Sequence, residues 1–157
     1  MAGIIWNKGE ESVIRAWLSG QSDFGSPRII PPVGGSWGVG LGTRSGGVGG
    51  NKADTITQIN EVGRITANGY GRAVITRDTT GSGWPAPSLV SGSMASTSPQ
   101  VAFNFTGAPD PNGATLWFIA GNTTINADNA LFGADTAAVR TFGNGDVERV
   151  TATFRQT

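Results

Sequence analysis

The chain has 157 residues and neither a cysteine nor a histidine. Disulfides, thiolate or imidazole zinc sites, Ser-His-Asp triads and Cys-His dyads are therefore excluded, and with them most familiar hydrolytic machinery. Charge is scarce as well. Asp, Glu, Lys and Arg make up 14% of the residues and the formal net charge is zero, whereas an average domain carries about 25%. Nucleic acid is held by clustered positive charge, so this balance speaks against nucleic-acid binding. No run reaches the roughly 18 apolar residues of a membrane span. Met1-Ala2-Gly3-Ile4-Ile5-Trp6 has neither a basic leader region nor a long apolar one. The expectation is a soluble chain assembled in the cytoplasm, long enough for one domain with a substantial core.

Polarity comes instead from Ser, Thr and Asn, together with 25 Gly. Free monomers usually keep a charged surface, so a neutral, charge-poor chain predicts that part of its surface is covered by other subunits. A loop-rich β domain of extracellular type would have a similar composition.

Thr115-Leu116-Trp117-Phe118-Ile119-Ala120 is the densest apolar run. It is too short for a buried helix, which would need about 10 residues, and turn residues bound it: Pro109-Asp110-Pro111-Asn112-Gly113 before, Gly121-Asn122 after. The prediction is a strand covered on both faces. Trp37, Val39 and Leu41 alternate with Gly38, Gly40 and Gly42, the period of a strand whose second face has no side chains, so something must approach that face closely.

Tyr70 to Arg77, Val101 to Phe105, Ala130 to Ala134 and Val147 to Gln156 read as further strands. In the last, Val150, Ala152 and Phe154 are expected inward, with Arg149, Thr151, Thr153 and Arg155 outward. Leu116, Phe118, Phe103, Val150 and Phe154 are predicted to be buried together. Six or more short strands without helical crossovers point to an antiparallel sandwich or barrel.

Near the N-terminus, Asn7 and Glu10 have capping-box spacing. Val13, Ile14, Trp17 and Leu18 then share a helical face that ends at Gly20. That stripe covers one end of the sheet or docks a partner. Phe24 to Pro32 reads as irregular and extended, and Ile56, Ile59 and Val62 as a brief turn or strand. Ser45 to Lys52 is glycine-rich, but Lys52 does not directly follow a glycine and no Ser or Thr comes next, so it is a surface loop and not a phosphate cradle. The excursion from Thr79 to Pro87 carries Trp84, either a plug over the core or an exposed contact residue. Asp110, Asp128, Asp135 and Asp146 all sit beside turn residues, and no catalytic, metal-binding or cofactor-binding residue is assigned. Asp110-Pro111-Asn112-Gly113 lacks the remaining ligands of a calcium loop.

In their order along the chain these signals resemble a family of small virion proteins of tailed bacteriophages, capsid-decoration or tail-associated. The motifs are the N-terminal helix before Gly38-Val39-Gly40-Leu41-Gly42-Thr43, then Gly69-Tyr70-Gly71-Arg72, Val101-Ala102-Phe103, Trp117-Phe118-Ile119, Ala130-Leu131-Phe132-Gly133 and the closing Gly145-Asp146 hairpin. Gly20 to Pro32 and Trp84 to Pro87 have no counterpart. The resemblance implies a non-enzymatic structural role on the capsid surface of a virion, with the major capsid protein and copies of the chain itself, as dimer or trimer, for partners, and neither nucleic acid nor membrane. A capsid cement or decoration protein is the first reading. A tail or tail-fibre component is the alternative, and a carbohydrate-binding module stacking sugar on Trp37, Trp84 or Trp117 a further one.

The expected fold is all-β, an antiparallel, jelly-roll-like β-sandwich with one short N-terminal helix and an extended N-terminal arm. A single domain spans 1–157: 1–66 supplies the arm, helix and irregular Gly/Pro-rich part, and 67–157 the main β-sandwich portion. Ile4, Ile5, Trp6 and Trp84 are the candidate interface residues. The first three are too apolar to trail in water, and a neighbouring subunit is the expected burial site.

Overall fold

The computed structural model describes residues 3–7, 9–10, 31, 34–44, 53–61, 68–77, 83–108, 112–125 and 130–155. The expected amphipathic stripe from Val13 to Leu18, the irregular Phe24–Pro32 segment except Pro31, the glycine-rich loop from Ser45, and Asp110 and Asp128 lie outside them.

The described residues are mostly β, in antiparallel sheets, with one short helix, named α1, and further helical residues at Asn7, Gly9 and Glu10. The strands are β1 (Gly3–Ile5), β2 (Ser36–Gly42), β3 (Ala73–Thr76), β4 (Ser88–Val90), β5 (Ser93–Thr97), β6 (Val101–Asn104), β7 (Ala114–Ala120), β8 (Ala130–Arg140), β9 (Val147–Val150) and β10 (Thr153–Arg155); α1 is Ile56–Ile59. A five-stranded sheet runs in the order β1-β8-β7-β2-β3, a three-stranded one β10-β5-β4, and β6 pairs with β9. Two strands of the large sheet, β1 and β2, come from before residue 66, and β2 lies between β7 and β3.

The densest apolar run is β7, the middle strand of the large sheet. Pleating sends Leu116, Phe118 and Ala120 to one side, where they pack with Trp6, Ile56, Ile59 and Ala130. On the other side Val39, Leu41 and Ile75 pack with Phe103, Phe105 and Val150 from the β6–β9 pair, and Trp117 joins them half-buried. The strand is therefore covered on both faces, as its sequence predicts. The five residues expected in one cluster divide between these two sides: Leu116 and Phe118 on one, Phe103 and Val150 on the other. Phe154 belongs to neither, because the last segment changes sheets. Val150 ends β9, Ala152 exchanges hydrogen bonds with Ser98 (Ser98 N to Ala152 O 2.8 Å, Ala152 N to Ser98 Oγ 3.0 Å), and β10 then pairs with β5.

Gly3 to Ile5 are not part of an extended arm. Gly3, Ile4 and Ile5 pair with Ala134, Gly133 and Phe132 of β8. Trp6 N donates to Leu131 O at 3.0 Å, and the indole is 1% exposed. It lies where a Cβ on Gly133 would stand, within 2.5 Å of the indole Cη2. The expectation that Trp6 is held by a neighbouring subunit is thus overturned, since the chain's own core takes it. Asn7, Gly9 and Glu10 are already helical, with Glu10 N donating to Trp6 O at 3.0 Å, so Trp6 and not Asn7 provides the first carbonyl of that turn.

Ile56 to Ile59 forms one helical turn. Thr55 N donates to Gln58 Oε1 at 3.0 Å, and Asn60 closes it with a left-handed φ of 52°. Both Ile side chains are buried under β7. With only two apolar positions the sequence signal of this helix is too brief to separate from a turn.

Candidate functional site

The bare face of β2 is filled at each of its three glycines. A Cβ on Gly40 would stand 2.3 Å from Phe118 Cζ; one on Gly42 would meet Ile59 O and Leu116 Cδ1 at 2.8 Å; one on Gly38 would meet Asn122 O at 2.1 Å and Arg72 Cδ at 2.9 Å. The close approach expected of that face is thus supplied from within the chain. Above it lies a buried polar network. Arg72 holds Glu61 in a bidentate pair (Nε to Oε1 2.6 Å, Nη2 to Oε2 2.7 Å), with both side chains wholly out of solvent. Its Nη1 donates to Asn122 O and Oδ1, each at 3.1 Å, and the guanidinium carbon sits 5.3 Å from the centre of the Phe118 ring. The Tyr70 hydroxyl accepts Leu41 N–H at 3.0 Å, beyond the last β2–β3 pair (Val39 with Ala73), and donates to Glu61 Oε1 at 3.2 Å. Burial, reinforced by the Glu61 carboxylate, pushes the Tyr70 phenol well above its ordinary range. Tyr70, Arg72 and Glu61 are all buried, and their hydrogen bonds tie β2 to the Tyr70–Arg72 stretch, to Glu61 and to Asn122. Sequence reasoning placed Arg72 on a strand face but missed its partner. The signal that could have found the pair was the same bare glycine face, which a long side chain from the Tyr70–Arg72 stretch was able to cross.

The open site lies on the opposite side of the large sheet. Trp37 of β2, Ile119 of β7 and Phe132 of β8 form its floor. Phe154 of β10 and Ser96 of β5 face them from the three-stranded sheet, and Trp84, Pro85 and Pro87 close a third side. The cleft encloses about 360 Å³, within the roughly 300–1,000 Å³ of small-molecule sites. Phe154 is its keystone, stacked edge-on to Phe132 (centroids 4.7 Å apart) and tilted against Trp84 (5.3 Å). Trp84 N also donates to Thr76 O at 3.2 Å, anchoring the loop at the edge of β3. Trp84 is half-buried: it packs on Phe154 and against the core, as a plug would, and lines the cleft.

Among the described residues two polar side chains line this cleft. Ser96 Oγ donates to Pro85 O at 2.6 Å and Arg77 Nη1 to Pro31 O at 2.6 Å. A sugar ring stacked on the tryptophans would need donors and acceptors around its rim, and among the described residues the lining offers few of either. Trp37 and Trp84 are brought together here, whereas Trp117 packs with the core beside Phe103.

Beyond the cleft the β4–β5 hairpin continues the three-stranded sheet into solvent. Ser91 and Gly92 form its two-residue turn, with φ of 49° and 80°, the left-handed pair of a type I′ turn. Leu89 and Met94 face each other across the hairpin, 72% and 45% exposed, and Val90 is 41% exposed. From Thr79 to Pro109 the sequence has no Asp, Glu, Lys or Arg. Of the other candidate interface residues, Ile4 is half-buried against the core, Ile5 is exposed and Trp6 is internal. Asp146 Oδ2 accepts Gly143 N–H at 2.7 Å within its turn, and Asp135 stands opposite Leu116 on β8. Among the described residues no cluster of three acidic side chains is arranged to hold a metal ion. No protein-family model, curated protein or solved structure matches the chain.

Proposed function

We propose that this chain is a non-enzymatic virion structural protein of a tailed bacteriophage, and within that class a capsid cement or decoration protein that bridges major capsid subunits. The sheets are read as a jelly-roll-like sandwich that presents one uncharged end for contact. The observation that carries this reading is the β4–β5 hairpin, where Leu89, Val90 and Met94 stand exposed in a stretch without charge. An isolated monomer gains nothing from such a surface, while a subunit that ends against a neighbour does. Trp84 and the cleft beside the hairpin extend the same contact area; Trp6 is withdrawn from it by its burial.

The test is to locate the chain on intact particles by cryo-electron microscopy. Density over capsid faces or vertices is the expected result. Density on the tail would move the chain to the alternative within the same class, a tail or fibre component, and absence from particles would overturn the structural reading. A carbohydrate-binding module is the second reading, favoured by the meeting of Trp37 and Trp84 in one cleft. It ranks lower because Ser96 and Arg77 both hydrogen-bond to backbone carbonyls, which leaves sugar hydroxyls few partners.

A further inference from the structure

We infer that two copies of the chain pair through β4, antiparallel and about a two-fold axis at Leu89, joining their three-stranded sheets into one of order β10-β5-β4-β4-β5-β10. In the β4–β5 hairpin the two-residue turn makes Val90 and Ser93 a hydrogen-bonded pair, and Ser88 with Ala95 the next such pair. Leu89, opposite Met94, lies between them, so its N–H and C=O point away from β5 towards the free edge. Among the described residues β4 has no second neighbour in the sheet.

Symmetry selects a second copy as the occupant. In a two-fold contact each residue near the axis meets itself, so any charge there faces its own like. The edges of β3, β9 and β10 would suffer this, since Arg72 and Arg77 flank β3, Glu148 and Arg149 lie in β9, and Arg155 lies in β10. The β4 edge escapes it, because no charged residue stands between Asp78 and Asp110. Exposed edges are usually blunted by lysine or by proline within the strand, and β4 has neither. Pro87 constrains the register. It lacks an N–H but keeps its carbonyl, so with Leu89 opposite Leu89 of the second copy, each Leu89 N–H reaches the other's carbonyl and each Ser91 N–H reaches the other's Pro87 carbonyl. Moving the axis by two residues, from Leu89 to Pro87, would leave the pair at the axis without a donor. The pairing also places both Leu89 side chains on one face beside both Met94 side chains, covering the most exposed large apolar side chain among the described residues.

The inference rests on the structural-protein reading only for the supply of neighbouring copies. Sedimentation equilibrium of the full chain tests it, with melting temperature and far-ultraviolet circular dichroism as controls for the fold. The expected result is a dimer that Leu89→Lys weakens at least tenfold through like charges at the axis, while Val74→Lys, on the exposed part of β3, leaves it intact. Leu89→Pro removes the outward N–H but no bond to β5, so it should also abolish the dimer; should it fail to fold, Leu89→Lys, which keeps the backbone unchanged, decides. A monomer at every accessible concentration, or a dimer indifferent to Leu89→Lys, would overturn the pairing. The two readings fail separately. A chain absent from particles yet dimeric through β4 loses the proposed function and keeps the pairing, and a particle-bound chain that is monomeric when released does the reverse.

Discussion

The β2 face of the large sheet and the β4–β5 hairpin are both built from small residues, and they behave in opposite ways. In β2, Gly38, Gly40 and Gly42 remove side chains so that Arg72, Phe118 and Ile59 fit against the backbone, and the Arg72 guanidinium and Tyr70 hydroxyl hydrogen-bond to Glu61, Asn122 and Leu41 N–H. In the hairpin, Ser88, Ser91, Gly92 and Ser93 surround Leu89 and Met94, and nothing within the described chain covers those two side chains. The comparison teaches that low side-chain volume is neutral by itself. It becomes tight packing where a large group arrives from elsewhere, and an open surface where none does.

The largest effects should fall on the packed side. Phe118→Ala, which opens a hole over Gly40, and Trp6→Ala, which empties the site beside Gly133, should each cost about 3–5 kcal/mol in chemical denaturation. A loss under about 1 kcal/mol for Trp6→Ala would return that residue to an external contact. Arg72→Ala leaves Glu61 buried without its guanidinium and should cost a comparable 3–5 kcal/mol or so, whereas Arg72→Met with Glu61→Leu should recover much of that loss.

Smaller effects separate packing from hydrogen bonding on the same face. Gly40→Ala forces the Phe118 ring away from the sheet and should cost about 1–3 kcal/mol. Tyr70→Phe strands the Leu41 N–H, with a loss of about 1–3 kcal/mol. Tyr70 is the chain's one tyrosine, so absorbance near 295 nm reports on it alone. Its phenol is raised in the folded state, so the stability it contributes is intact below the unfolded-chain value of about 10 and declines as pH rises above it. The expected titration shows no tyrosinate in folded protein just above that value and an abrupt appearance on unfolding; an ordinary titration curve in folded protein would show the hydroxyl to be open to water. Tyr70→Phe should also remove this part of the alkaline instability.

The smallest effect belongs to the hairpin. Leu89→Ser at a concentration too low for association should change stability by no more than about 0.5 kcal/mol, because little of Leu89 is buried. A larger loss measured under those conditions would mean that the hairpin is packed within the monomer, and the contrast between the two regions would disappear.

Much of the strand pattern is local and was legible as such. The alternation Val101-Phe103-Phe105 and Val150-Ala152-Phe154 recurs as burial, because side-chain period is a property of an extended backbone whatever it pairs with. The prominence of β7 and the close approach to the glycines of β2 were also legible, since a run of large apolar residues needs cover and a bare face admits it. Which side of the sheet each residue takes was not legible, since that depends on partners distant in sequence. Leu116 and Phe118 therefore separated from Phe103 and Val150, and one C-terminal run became two strands in different sheets.

The candidate site divides in the same way. Composition alone removed cysteine and histidine chemistry, and the apolar character of Trp6 demanded burial. Tertiary structure decided that its own core takes Trp6, through the space left at Gly133, and that Trp37, Trp84 and Phe154, far apart in sequence, share one cleft. The sequence by itself determined the residue types, the strand periods and the excluded chemistries, because these follow from covalent structure and local geometry. Only the fold decided which of the small-residue stretches would be filled and which left open, because that depends on whether a distant segment with the right volume returns to cover it.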